Sequence, residues 1–154
     1  NSNLVIHGLL EKDDPLHFEL IEHLINPFEF CCALYKLLSG DGLMYFNTPN
    51  ALGLDNQALS YNQFRPSAHG IFPPMHLNAF TTRNISHFLI RAGFSVREIE
   101  TPGHFDVDIV KEFCEDNNEL SLIKKIENEQ NLAILQLVLQ ILGASSHMAI
   151  LAAK

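Results

Sequence analysis

Leu37-Leu38-Ser39-Gly40-Asp41-Gly42-Leu43-Met44-Tyr45-Phe46-Asn47-Thr48-Pro49-Asn50 is the stretch that decides the fold class. Ser39 to Gly42 has the composition of a tight turn. Leu43 to Phe46 is apolar at every position, as expected for a strand covered on both faces. Asn47 to Asn50 stops that strand. Just upstream, Asn26-Pro27 reads as a helix start, with Asn as the cap and Pro at the first helical position. Phe30, Leu34, Leu37 and Leu38 follow at helical spacing, and Gly40 is expected to end the helix. A helix, a glycine turn and an apolar strand in succession form one unit of an α/β fold.

The same alternation extends outward. Residues 4–6 and 16–20 read as strands, separated by a polar turn at 11–15. Residues 51–79 have no clear periodicity and hold Pro66, His69, Pro73, Pro74 and His76. A long irregular segment in a compact domain is expected to be a lid or binding loop. Thr81 or Thr82 can cap a helix with Ile85, Phe88, Leu89 and Ala92 on one face, ended by Gly93. Residues 94–99 alternate like a strand, 106–142 read as a helical insert, and 148–151 read as a final buried strand. Strands alternating with helices predict a largely parallel sheet covered by helices. In such sheets ligands bind at the carboxyl ends of strands. Two strand ends stand out on that rule, Glu19 to His23 and Asn47 to Asn50.

Composition narrows the function classes. The chain has 154 residues, 47% hydrophobic and 18% charged, enough apolar content for one domain with a real core. Acidic residues outnumber basic ones 18 to 10, and the net charge is −8. Lys and Arg form no cluster, so the basic face that nucleic acid needs is missing from the sequence. The same charge argues against an anionic membrane surface. The richest apolar run, residues 132–143, is interrupted by Gln136 and Gln140 and is shorter than the roughly 18–20 residues of a bilayer span. It suits a buried helix or a homo-oligomer contact. Cys31, Cys32 and Cys114 show no CxxC spacing and read as reduced thiols of a cytoplasmic protein. The chain opens Asn1-Ser2-Asn3 without Met, which raises the expectation of a longer parent protein.

Phe18-Glu19-Leu20-Ile21-Glu22-His23-Leu24, followed by Asn26-Pro27, resembles the fourth-strand region of class I S-adenosylmethionine-dependent methyltransferases. Leu37 to Leu43 resembles that family's turn into its fifth strand, with Ser39 and Asp41 departing from the common pattern. Asn47 to Asn50 looks like the end of that strand. His76, Phe80-Thr81 and Leu89 to Val96 resemble the following helix and strand, and residues 147–154 fit the last one. The resemblance covers roughly residues 16–100 and the C-terminal strand. It implies a Rossmann-like sheet, mostly parallel with an antiparallel last strand, and S-adenosylmethionine as cofactor. It also places Phe18, Glu19 and Leu20 beside that cofactor. The family's glycine-rich cofactor turn has no counterpart before Glu19. The chain is therefore expected to be the C-terminal part of one methyltransferase domain, with the cofactor-binding part outside it.

Methyl transfer from a sulfonium is a direct displacement, so alignment supplies much of the catalysis. A hydroxyl acceptor also benefits from a base, for which His23 and His76 are the candidates. The Glu22-His23 pair has a second reading, as a cap and brace for the next helix. Glu19-x-x-Glu22-His23 is moreover similar to the metal-binding segment of ubiquinone-pathway O-methyltransferases and small-RNA 2′-O-methyltransferases. That similarity implies a divalent metal on Glu19, Glu22, His23 and His76. Phe64, Phe72 and Met75 are candidates for an apolar substrate wall, His69 for the lid and His104 for the site mouth, while His87 reads as a surface or boundary residue of a helix. The expected activity is O-methyl transfer to a small molecule or glycan. A non-catalytic methyltransferase-like module that binds a partner through residues 132–142 is the competing reading.

Overall fold

The computed structural model describes residues 19–58, 71, 73–102 and 129–154. The Asn26 side chain accepts a hydrogen bond from the Glu29 N–H at 3.2 Å, and Pro27 opens helix α1, Pro27–Leu37. The helix stops before Gly40. Leu38 takes an extended backbone conformation and is buried in the core, so its side chain turns the chain inward first. The Gly42 N–H then donates to the Ser39 carbonyl at 3.0 Å and closes the turn. Strand β1, Leu43–Pro49, follows.

Beyond β1 lie a short helix α2, Leu54–Ala58, and helix α3, Thr82–Arg91. Thr81 caps α3 in a reciprocal box. Its side chain accepts from the Asn84 N–H at 3.1 Å, and Asn84 Oδ1 accepts from the Thr81 N–H at 2.8 Å. Two of the helix's otherwise unpaired donors are satisfied this way. Ile85 and Leu89 are fully buried on the apolar face, as their spacing predicts. Gly93 follows with φ +106°, where a Cβ would also meet the Tyr35 ring at 3.1 Å. Both facts favour glycine. Strand β2, Ser95–Glu100, helix α4, Glu129–Ile141, and strand β3, His147–Ala153, complete the described elements.

The sheet differs from the expected one. Its order is β1-β3-β2, and both ladders are antiparallel. The last strand wedges between β1 and β2, which run in the same direction without pairing. It thereby converts what would be a parallel neighbourhood into two antiparallel ladders. Parallel pairing among the described residues is confined to two isolated bridges, Glu19 to Asn47 and Asn50 to Phe80. β3 runs antiparallel to both neighbours, in keeping with an antiparallel last strand. Its central place explains its burial, with Met148, Ile150 and Ala152 fully buried.

Two sequence expectations about burial also change. Leu43 and Tyr45 of β1 are exposed, so this strand is not covered on both faces among the described residues. β1 is an edge strand, and beside it runs an apolar cleft lined by Leu20, Phe30, Leu34, Leu43 and Tyr45. Leu37 points outward at 67% exposure despite its helical spacing. Residues 21–23 form a single 3-10 turn, and the strand expected at 16–20 is described only at Glu19 and Leu20. The core joins Cys31 and Leu38 from the α1 side, Phe46, Met148 and Ile150 from the sheet, and Ile85, Leu89 and Phe94 from α3 and its exit. The strand expected at 4–6, residues 59–70 and 72 of the expected lid, and residues 106–128 of the expected insert lie outside the described residues. No helix among the described residues is long and apolar enough to cross a membrane.

Candidate functional site

The parallel bridge from Glu19 to Asn47 brings the segment 19–23 against the carboxyl end of β1. The 3-10 turn Ile21–His23 then swings Glu22 inward and leaves His23 at the surface. From the other side, residues 77–78 are tied to the same turn. The Glu22 carbonyl accepts from the Leu77 N–H at 2.8 Å and the Asn78 N–H at 3.0 Å. The Asn78 side-chain amide also donates to the Leu24 carbonyl at 2.6 Å. These bonds carry His76 to the site. The His23 and His76 rings lie 4.5 Å apart between centroids, tilted by 35°.

Glu22, His23 and His76 therefore converge. One potential ligand atom from each lies within 4.8 Å of the other two. Glu22 is 1% exposed. Its Oε2 accepts a hydrogen bond from Thr48 Oγ1 at 3.0 Å. Its Oε1 is buried without a hydrogen bond and faces His23 Nε2 at 3.8 Å. His76 Nδ1 is likewise buried and unbonded. The His23 Nδ1 contacts the Met75 carbonyl. A carbonyl only accepts, so Nδ1 carries the proton, and in the neutral ring Nε2 carries the lone pair. Two electron-rich atoms thus face each other, Nε2 on a partly exposed ring and Oε1 on a buried carboxyl. That arrangement is favourable when a cation lies between them, either a proton on the imidazole or a metal ion.

Burial pushes the Glu22 carboxyl above its ordinary value of 4.5. Hydrogen bonds from its own backbone and from Thr48, and the neighbouring His23, oppose that shift, while Glu19 adds to it. The native state then holds this proton more tightly than the unfolded chain. The stability Glu22 contributes is complete below 4.5 and is lost as pH rises through the higher folded value. Urea unfolding of the chelator-treated chain across this window is expected to show that fall. Glu22→Gln is expected to flatten it.

The other candidates separate. Glu19 does not join the cluster, because its Oε1 pairs with His147 Nε2 at 2.8 Å. His147 Nδ1 in turn lies 3.1 Å from Ser146 Oγ. Leu20 is half-exposed and lines the apolar cleft. Met75 is exposed and enters the site through its carbonyl. His87 is exposed on α3, as expected of a surface residue. Phe18, Phe64, His69, Phe72 and His104 lie outside the described residues. Cys31 and Cys32 are free, and Cys31 is buried with its thiol pushed up to about 12 by desolvation and then by Cys32, which makes it a poor nucleophile.

Sequence reasoning passed over two groups that shape the site. Thr48 was legible only as part of a strand end, although period-2 alternation puts it on the same inward face as Phe46. Asn50 is fully buried. Its side-chain amide donates to the Gly143 and Ser145 carbonyls at 3.1 and 2.9 Å, fastening the end of β1 to the turn before β3.

No protein-family model matches the chain, and no curated protein matches it. Among solved structures, it is similar to a SAM-dependent methyltransferase from Archaeoglobus fulgidus, at 20% identity and a TM-score of 0.48. The match covers 90% of this chain and 56% of that one, so the chain spans little more than half of that structure's length.

Proposed function

We propose that the chain is the acceptor-side part of an S-adenosylmethionine-dependent methyltransferase that methylates oxygen on a small molecule or glycan. The observation that carries this reading is the Glu22–His23–His76 cluster at the carboxyl end of β1. It stands where α/β sheets place their ligands, in the segment whose sequence resembles this family. The chemistry follows from the geometry. The acceptor hydroxyl gives its proton to His23 Nε2, the only lone pair of that neutral ring. S-adenosylmethionine, when bound, would supply the methyl group, its carbon–sulfur bond breaking as the new carbon–oxygen bond forms. Glu22 Oε1, at 3.8 Å, stabilises the imidazolium that results. Phe18, Glu19 and Leu20 are the residues this reading places beside the cofactor.

A metal-assisted version has its own support in the two buried, unbonded atoms Glu22 Oε1 and His76 Nδ1. Two imidazoles and one carboxylate suit a transition metal such as zinc better than magnesium. A metal held by Glu22, His23 and His76 would polarise the acceptor hydroxyl. With Glu19 engaged by His147, this set is smaller than the four residues implied by the family resemblance. The two versions compete for His23 Nε2, so only one operates at a time.

Calorimetry with S-adenosylhomocysteine tests the family reading. The parent protein at its natural length is expected to bind it in the micromolar range, and the 154-residue chain alone far more weakly. Absence of binding by the parent protein would sink the enzyme reading in favour of a partner-binding module.

A further inference from the structure

We infer that Thr48 is a positioning residue whose hydroxyl aims the Glu22 carboxylate at the two imidazoles and so sets the metal affinity of the site. This inference rests on the metal-assisted version of the proposed function. Main-chain groups hold the Glu22 backbone and the His23 ring, and the His76 ring lies against His23 at 4.5 Å between centroids. Two backbone N–H groups, from Leu77 and Asn78, fix the Glu22 carbonyl. The Met75 carbonyl fixes the His23 ring and leaves its Nε2 free. None of these contacts fixes the Glu22 side chain, which has its own rotatable bonds. Thr48 Oγ1 removes that freedom by donating to Oε2 at 3.0 Å. Both partners are almost completely buried, so water does not compete for this bond. With Oε2 engaged, Oε1 is the oxygen left facing His23.

The bond matters more because the cluster has one carboxylate. Glu19, the other candidate acid, is turned to His147 on the neighbouring strand end. A single misdirected carboxylate therefore removes all of the anionic charge the three-residue set offers. Outer partners of metal ligands generally change affinity by about 10- to 100-fold when removed.

Packing and positioning make opposite predictions for two small substitutions. Thr48→Val keeps the shape and loses the hydroxyl. Thr48→Ser keeps the hydroxyl and loses a methyl from a fully buried position. A packing role makes Thr48→Ser the worse variant, whereas a positioning role makes Thr48→Val the worse one. The full chain and both variants are titrated with Co²⁺, read by its visible absorption, and with Zn²⁺ by competition. Thr48→Val is expected to bind about 10- to 100-fold more weakly, with an altered cobalt spectrum, and Thr48→Ser to bind within a few-fold of the wild type. Thr48→Ala supplies a second hydroxyl-free variant if Thr48→Val does not fold. Equal affinity of wild type and the hydroxyl-free variants overturns the Thr48 role while leaving the metal version standing. A wild-type chain that binds neither ion overturns both.

Discussion

Under the proposed function, His23→Ala in the full-length protein is expected to lower methyl transfer by about 10²- to 10⁴-fold, the usual contribution of a positioned general base. The geometry makes this residue the sensitive one. Its Nδ1–H is committed to the Met75 carbonyl, so Nε2 is the atom that takes a proton, and Glu22 Oε1 lies 3.8 Å from it. The ring is exposed on its outer side, so replacing it removes little buried surface. Single-turnover kinetics separates the loss from substrate binding. A kcat within three-fold of wild type, with the same fold retained, would remove His23 from the chemistry.

The largest expected effect on folding comes from Ile150→Ala, which is predicted to cost about 2–5 kcal/mol. Ile150 is fully buried in the middle of β3, opposite Phe46 on one side and Ile99 on the other. A cavity there cannot be closed by a shift of one strand, because both neighbours are bonded to the strand that carries it. Denaturant unfolding that shows a lower midpoint with an unchanged slope checks the prediction. An unchanged midpoint would mean that the sheet repacks around the void.

Much of this was readable from residue order. Asn26-Pro27 and the pair Thr81-Thr82 marked two helix starts because caps are local chemistry, settled within three or four residues, and Thr81 is the cap in the structure. Glu22 and His23 stood out as ionisable side chains at a strand end, whereas His76 became a candidate through the family resemblance; the structure brings the three together. The pairing of Glu19 with His147 was not readable, since it depends on where a distant strand inserts. The family resemblance implied an antiparallel last strand, but its place between β1 and β2 was not readable from alternation. Alternation of strands and helices reports which segments are strands, and it is silent on a strand that returns to sit between two earlier ones. Thr48 stayed hidden for a different reason. A lone hydroxyl has no signature until its partner is known, and Glu22 lies across the fold from it.

The position of β3 has a consequence for how this fold is made. Leu43 pairs with Ala153, more than a hundred residues later, and Ser95 pairs with the same residue from the opposite side. On the ribosome β1 and β2 are synthesised well before the strand that joins them. Until it arrives they have no ladder between them, and their unpaired edges are open to other chains. Contacts this distant in sequence also slow folding, because the loop must close before any pairing rewards it. Assembly of this sheet thus waits for the synthesis of β3, and the period before it is when a chaperone would have most to protect.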